Sequence, residues 1–345
     1  GFFLSAVSGL SIWVKNSRTL LGILLCLIVV LAVGGFRRNK VWKDGFALWN
    51  DTVEKSPHKA RPYNNRGIFY GQQGDFSQAM RDFNMAIRIK PNYAEAYYNR
   101  GKTFHQQGDF FQAIADYNIT IAINPSYVFA YLNRGVLYEK EGKLAQAIAD
   151  YNKAIAINPN SQQAYGNRGN AYFALGNFIQ AISDQSKAIE IDPNIAGNYY
   201  NRGLIYDKQG NFIQAVSDYS KALKLNSNNA EAYNNRGNVA AKSNDLTQAI
   251  SDYNKAIDLN PDFALAYNNR GFIFATQGNF KQAMLDYDKA IAVNPNFAEF
   301  YGNRAVVYYK LKEYHKAWTD VNRTEVLKGN IDPEFIKVLK KAAGT

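Results

Sequence analysis

Asparagine side chains recur in this chain at one fixed interval of 34 residues. Each is followed by an arginine and then by a glycine or, in the last instance, by an alanine. These eight residues, here called the asparagine ladder, are Asn65, Asn99, Asn133, Asn167, Asn201, Asn235, Asn269 and Asn303. A side-chain amide donates and accepts hydrogen bonds at once, which matches the repeating polar groups of an extended peptide backbone. The ladder therefore predicts a row of peptide-binding amides. The alternative is a tolerated polar helix residue that repeat duplication has copied.

A charged pair accompanies every ladder asparagine. The arginine that follows it has an aspartate 16 residues further along the chain, from Arg66 and Asp82 in the first unit to Arg304 and Asp320 in the last. Because an unpaired charge at a half-buried position is costly, this spacing predicts a salt bridge between the two helices of every unit. Replacement of Arg134 alone by leucine is then expected to harm stability by stranding Asp150.

Two helices are needed in each 34-residue unit to position these side chains. In residues 94–127, apolar residues recur at helical spacing in two runs, which "QQGDF" separates and "NPSY" ends. The glycine of the separating turn, Gly108 here, is suited to the left-handed conformation that ends a helix. Asn244 replaces it once with the next best residue. Lys312 replaces it in the last unit and predicts a looser turn there.

Small and aromatic residues also recur in every unit. Gly101 and Ala113, with their equivalents, predict a close approach of the two helices where they cross. Tyr97 and its equivalents form an aromatic stripe at helical spacing, and such stripes are more often core than ligand platforms. We interpret them as the packing between neighbouring hairpins.

The eight units from Ala60 to Ile331 resemble the tetratricopeptide repeat family. Tyrosine stands for that family's usual tryptophan, and glycine, aromatic, alanine, aromatic and proline follow at its spacing. The resemblance implies an all-α fold, a right-handed α-solenoid (superhelix) of eight helical hairpins whose first helices line a concave groove for peptides or partner proteins. The arginine departs from the family, which usually has leucine there. The ladder resembles the asparagine ladder in the repeats of O-GlcNAc transferases, although no catalytic residue of those enzymes is matched.

Further groove residues follow from the register of that family. They mix apolar and polar side chains, which suggests a bound peptide with a few apolar anchors. With the ladder, the predicted peptide-binding residues are Leu132, Val136, Asn170, Leu204, Asn238 and Phe272.

Residues 1–36 predict a membrane segment of one or two helices. Residues 19–36 are uncharged, and 18 helical residues rise about 27 Å, close to the hydrocarbon thickness of a bilayer. Basic residues flank this run on both sides. A cleaved signal peptide is the rival interpretation, but the run is long for one and follows a second apolar stretch.

The remaining segments are interpreted as caps of the repeat array. Residues 37–59 predict a juxtamembrane segment and a helix that forms half a repeat. Residues 332–345 predict a C-terminal capping helix, because Phe335 and Leu339 give it an apolar face. If that cap were displaced, exposed repeat ends could stack, so a homo-oligomer is an alternative.

The N-terminal junction, Gly1 to Gly67, resembles the region where multi-pass O-mannosyltransferase-like membrane proteins run into C-terminal repeats of this kind. That resemblance implies repeats on the exoplasmic side of the membrane. The excess of basic residues after the apolar run favours the cytoplasm instead, by a small margin. We favour the exoplasmic side.

Composition argues against several classes of function. Of the formal charge of +11, residues 1–59 carry +5 and the repeats only +5, with acids and bases interleaved, so we expect no nucleic-acid binding. Cys26 is the only cysteine, and the histidines lack ligand spacing, so no metal or cofactor is expected. No nucleotide loop or nucleophile triad is visible, so this chain alone is not expected to be an enzyme.

Three hypotheses for its function follow. The first is a membrane-anchored scaffold that binds a peptide or a protein through its groove. The second is the acceptor-presenting region of a larger membrane glycosyltransferase. The third is a self-assembling structural or filament subunit.

Overall fold

The computed structural model describes residues 22–32 and 45–344. These residues form nineteen α-helices and no strand. The chain divides into two compact units, Gly1–Leu137 and Tyr138–Thr345. The first unit contains α1 (22–32), α2 (Gly45–Lys55), α3 (Ala60–Gln72), α4 (Phe76–Ile89), α5 (Ala94–Gln107), α6 (Phe110–Ile123) and most of α7 (Val128–Lys140).

The second unit contains the remaining helices of the described chain. They are α8 (Leu144–Ile157), α9 (Gln162–Ala174), α10 (Phe178–Ile191), α11 (Ala196–Lys208), α12 (Phe212–Leu225), α13 (Ala230–Lys242), α14 (Leu246–Leu259), α15 (Ala264–Thr276), α16 (Phe280–Val293), α17 (Ala298–Lys310), α18 (Tyr314–Val326) and α19 (Pro333–Ala343). Within each unit, consecutive helices pack in pairs such as α3 with α4 and α13 with α14. Every such hairpin corresponds to one 34-residue repeat of the sequence.

The two helices of a hairpin approach closely where the small residues lie. A β-carbon on Gly237 of α13 would lie 3.3 Å from the carbonyl oxygen of Ala249 in α14. Ala249 itself is fully buried. The predicted close crossing is therefore confirmed in this hairpin.

The turn between paired helices has one geometry whether or not it contains glycine. Gly278 has φ +77°, and the amide of the next residue donates to the carbonyl of Phe274 at 2.8 Å. Lys312 has φ +63°, and the amide of Glu313 donates to the carbonyl of Tyr308 at 2.9 Å. The prediction of a looser turn at Lys312 is therefore wrong. The packing of both flanking helices holds the left-handed conformation, at a local cost of about 1–2 kcal/mol for a side chain.

Two single helices lie at the ends of the hairpins. In the first unit, Asn50 of α2 accepts a hydrogen bond from Arg66 of α3 at 2.8 Å. In the second unit, α19 covers the last hairpin, where Leu339 is fully buried against Ala305 and Val321. Both contacts give the neighbouring hairpin a partner on its outer side.

The predicted membrane segment lies largely outside the described residues. Of residues 19–36, only 22–32 are described, as α1. Its apolar side chains are mostly exposed, for example Ile28 at 60% and Val30 at 68%. Among the described residues, no helix is both long and apolar enough to cross a membrane.

Candidate functional site

The arginine that follows a ladder asparagine connects two neighbouring hairpins. In α13, the guanidinium of Arg236 donates two hydrogen bonds to Asp252, at 2.9 and 2.7 Å, and one to Ser220 at 3.0 Å. It also lies over the ring of Tyr233, 5.6 Å from the centroid. Hydrogen bonding to Asp252 raises the pKa of this guanidinium above its ordinary value, although burial acts to lower it. One arginine thus joins its own hairpin to the second helix of the preceding one.

The same arrangement recurs within both units. The bidentate pairs are Arg66–Asp82, Arg100–Asp116, Arg168–Asp184, Arg202–Asp218, Arg236–Asp252, Arg270–Asp286 and Arg304–Asp320. The partners on the preceding second helices are Asn50, Asn84, Asn118, Asn152, Ser186, Ser220, Asn254 and Asp288. The predicted salt bridges are confirmed for these pairs. The link to the preceding hairpin was not predicted.

The ladder asparagines are half-buried, and several already donate to a neighbouring hairpin. Asn99 donates to Asn64 at 3.0 Å in the first unit, and Asn303 donates to Asn268 at 2.9 Å in the second. The acceptor lies 35 residues earlier, immediately before the preceding ladder residue. In two repeats the acceptor is a tyrosine hydroxyl instead. Asn133 donates to Tyr98 and Asn235 donates to Tyr200, each at 3.1 Å. We call these bonds the ladder clamps.

Asn201 has no ladder clamp. The residue 35 positions earlier is Gly166, which has no side chain to accept a bond. Within the described residues the amide of Asn201 forms no side-chain hydrogen bond, so both its donors and its carbonyl are available to a ligand. In a clamped asparagine such as Asn303, one N–H is used, and a second N–H and carbonyl lone pairs remain. Asn269 differs, because its amide donates to both Asn234 and Asn238, each at 3.0 Å.

The structure separates the other predicted groove residues into exposed and internal ones. Phe272 is 53% exposed and Asn170 is exposed, whereas Val136 and Leu204 are half-buried. Leu132 is only 2% exposed, which corrects its assignment to a peptide-contacting surface. It precedes Asn133 and stands at the position that carries a clamp acceptor in other repeats.

Two adjacent cavities in the second unit bring several predicted residues together. A cavity of about 350 Å³ is lined by Asn238, Asn269, Phe272 and Asn303 among others. A second, of about 460 Å³, is lined by Phe272 and Asn303 and is otherwise mainly apolar. Such volumes fall in the usual range of roughly 300–1,000 Å³ for ligand sites. We call them the polar cavity and the apolar cavity.

One acidic side chain in the second unit has an altered charge state. Burial raises the pKa of Glu139 to about 7, and the nearby Tyr151 hydroxyl acts to lower it. The carboxyl of Glu139 is therefore not a fixed negative charge at neutral pH. Among the described residues, no group of three histidine, cysteine or acidic side chains could hold a metal ion.

Three family models for tetratricopeptide repeats match the chain. Together they run from residue 69 to residue 319, with the model described as "TPR repeat" on 69–108, 101–142, 169–210 and 237–278. Two models described as "Tetratricopeptide repeat" match 128–161, 199–229 and 264–297, and 150–183, 219–251 and 286–319. The chain belongs to the tetratricopeptide repeat (TPR) family. These matches give no support to the resemblance of residues 1–67 to O-mannosyltransferase-like proteins.

Solved TPR structures share this fold. A TPR protein from Parabacteroides merdae is 21% identical over 75% of this chain and 98% of its own, with a TM-score of 0.55. A chain of the APC/C hetero-tetramer Cut9-Hcn1 is 19% identical over 84% of this chain and 56% of its own, with a TM-score of 0.57. These two structural similarities show a shared fold only.

YrrB, a TPR protein described as having an unusual peptide-binding site, is 26% identical over 52% of this chain and 92% of its own. Its TM-score is 0.45. No curated protein gives a significant match.

Residues that the sequence did not indicate as functional complete this TPR site. The clamp acceptors Asn64 and Tyr200 were missed because their position changes type from repeat to repeat, to leucine or glycine elsewhere. Val306 and Lys310 line the apolar cavity and were also missed. A usable signal was present, because alanine at Ala275 stands where other repeats have bulky residues such as Phe173 and Tyr309.

Proposed function

We propose that this chain is a TPR scaffold that binds an extended polypeptide along its asparagine ladder. The observation that carries the proposal is the state of the ladder amides, because clamps hold five of the eight in place and most of the eight keep part of their hydrogen-bonding capacity unused. A side chain that is already ordered loses less conformational entropy when it binds a ligand. Asn201, which has no clamp, offers its entire amide.

The ladder needs help from other groove residues. Each peptide hydrogen bond contributes about 0.5–1.5 kcal/mol, so eight contribute roughly 4–12 kcal/mol. Association costs about 4–15 kcal/mol, which is of the same size. Apolar contacts at residues such as Phe272 must therefore supply a large part of the affinity.

Removal of four ladder amides in the second unit is expected to abolish most peptide capture. The variant replaces Asn201, Asn235, Asn269 and Asn303 by alanine. Loss of four bonds of about 0.5–1.5 kcal/mol each corresponds to a capture at least about 30-fold weaker. The measurement is retention of a random nonapeptide library on the immobilised full chain in mild detergent.

A matched control separates binding from stability. Tyr200→Phe, Asn234→Ala and Asn268→Ala together remove the acceptors of three ladder clamps and leave every ladder amide in place. This control is expected to lose some thermal stability and to weaken peptide capture far less than the ladder variant does, because its amides are less ordered but all present. Equal loss of peptides in both variants would mean that the ladder serves only to join repeats.

We further propose that residues 19–36 tether the repeats to a membrane, with the repeats on its exoplasmic side. The exposed apolar side chains of α1 favour this proposal, because a helix with so many exposed apolar side chains is unfavourable in water. An aspartate near the centre of a membrane-spanning helix costs about 2.5–3.5 kcal/mol.

Aspartate substitutions in α1 are therefore expected to release the chain from lipid. The wild-type chain should float with phosphatidylcholine vesicles on a density gradient, and Leu25→Asp with Ile28→Asp should stay at the bottom. Ile179→Asp with Ile213→Asp, at residues 76% and 84% exposed in the repeats, is the control and should float. Sedimentation of the wild-type chain, or equal loss in the control, would contradict the tether.

A further inference from the structure

One position of the repeat carries alanine in α13 and α15, and both alanines line the cavities of the second unit. The position lies six residues after each ladder asparagine. Its occupants are Gly71, His105, Glu139, Phe173, Asp207, Ala241, Ala275 and Tyr309. Where the occupant is aromatic in the second unit, it packs on the first residue of the following helix. The ring centroids of Phe173 and Phe178 are 5.9 Å apart, and so are those of Tyr309 and Tyr314.

Alanine leaves that space open. Ala275 lines the apolar cavity, and Ala241 lines the polar cavity beside it. Phe280, the first residue of α16, is thereby left without an aromatic partner from Ala275, and it forms part of the wall. The exposed side chains Phe272 and Val306, which are 53% and 41% exposed, stand at the mouth.

The ladder and a charge border the same opening. Asn303 lines both cavities, so a backbone held by this amide passes directly over them. Lys310 lines the apolar cavity, is exposed, and forms no ion pair with any residue that the structure describes. The cavity therefore offers apolar walls and, beside them, the unpaired cation of Lys310. A ligand that complements it has an apolar side chain with a carboxylate next to it.

We propose that the apolar cavity is a specificity pocket for an extended polypeptide that carries a large apolar side chain, such as phenylalanine or leucine, with an acidic residue adjacent to it. The apolar side chain enters between Phe272 and Val306, and the carboxylate meets Lys310. Asn303 holds the backbone between them. This inference rests on the proposed peptide-binding function and names its ligand class.

The test is selection from an oriented library of nonapeptides on the immobilised full chain. The wild-type chain is expected to enrich peptides with an aromatic or leucine residue next to aspartate or glutamate. Ala275→Phe should fill the cavity, because Phe173 already occupies the equivalent place, and should weaken binding of the selected peptide roughly 10- to 100-fold. Phe173→Ala, the reverse change in another repeat, should leave the preference as it is.

A second variant keeps the test valid if Ala275→Phe fails to fold. Lys310→Glu alters an exposed side chain and is expected to change the adjacent preference from acidic to basic while the apolar preference persists. Retention of peptides with no apolar preference, or an unchanged preference in both variants, would overturn the pocket and leave ladder binding intact. No retention of any peptide would overturn ladder binding as well. Self-association of the chain that Ala275→Phe abolishes would assign the cavity to a second copy and overturn the peptide assignment.

Discussion

Replacement of Arg236 by leucine is expected to lower the free energy of unfolding by about 3–5 kcal/mol. Asp252, its partner, is 2% exposed and would be left in the interior without a cation. The neutral amide of Gln248 at 3.0 Å would remain as a donor, but it carries no compensating charge. The size of the effect comes from this stranded carboxylate, because leucine itself is the residue that the TPR family usually has at this position.

Two further variants test that explanation. Asp252→Leu added to Arg236→Leu removes the stranded charge and is expected to recover most of the loss, since apolar replacement of a whole buried ion pair is often neutral or stabilising. Lys242→Leu, in the same helix α13, breaks the more exposed pair with Asp207 and should cost less than about 1 kcal/mol.

The measurement is urea unfolding of the full chain, combined with hydrogen exchange of α13 and α14, because repeat arrays can unfold in segments. Unfolding of Arg236→Leu at the wild-type urea concentration would show that Asp252 tolerates the loss of its cation. A double variant no more stable than Arg236→Leu would show that lost contacts, and not the stranded charge, set the cost.

The features that the sequence predicted well are those that depend on one repeat alone. The ion pair of Arg270 with Asp286 joins the two helices of one hairpin, and the interval of 16 residues between them was enough to predict it. Close crossing at Gly237 likewise depends on a small residue in each paired helix. Such pairs recur in successive 34-residue repeats. Each repeat therefore supports the prediction of the same contact between its two helices.

Features that depend on neighbouring repeats were predicted poorly. Leu132 was assigned to the groove, but its side chain is 2% exposed, and its position carries a different residue type in different repeats. The apolar cavity results from a missing side chain at Ala275, and the space that it leaves is bounded by α15, α16 and α17 together. A single periodic pattern does not specify such a three-helix volume.

The glycine at each helix crossing leads to a second large stability effect. Gly237→Ala is expected to destabilise the chain by about 2 kcal/mol, within the range of roughly 1–3 kcal/mol for overpacking a well-packed interior. An added β-carbon would lie 2.8 Å from Cε1 of Tyr253. That ring cannot easily retreat, because it is 2% exposed and its hydroxyl donates to Asn238 at 2.8 Å. This clash outweighs the gain of about 0.5–1 kcal/mol that alanine normally brings to a helix interior.

The same substitution elsewhere should have the opposite sign. At Gly302, an added β-carbon would meet nothing closer than Thr324 at 3.9 Å, so Gly302→Ala is expected to stabilise the chain by about 0.5–1 kcal/mol. Both variants are compared by urea unfolding of the full chain. Destabilisation of equal size at the two sites would mean that glycine flexibility, and not the space beside Tyr253, is what the hairpin requires.

The last hairpin suggests how the clash can be relieved. There Ala305 takes the place of the crossing glycine, and the aromatic residue opposite it is replaced by Val321. Tyr253→Val should therefore remove most of the cost of Gly237→Ala, with a coupling of about 1–3 kcal/mol in a double-mutant cycle. If alanine costs as much against valine as against tyrosine, the backbone carbonyl of Ala249 at 3.3 Å, and not the ring, sets the closest approach of the two helices.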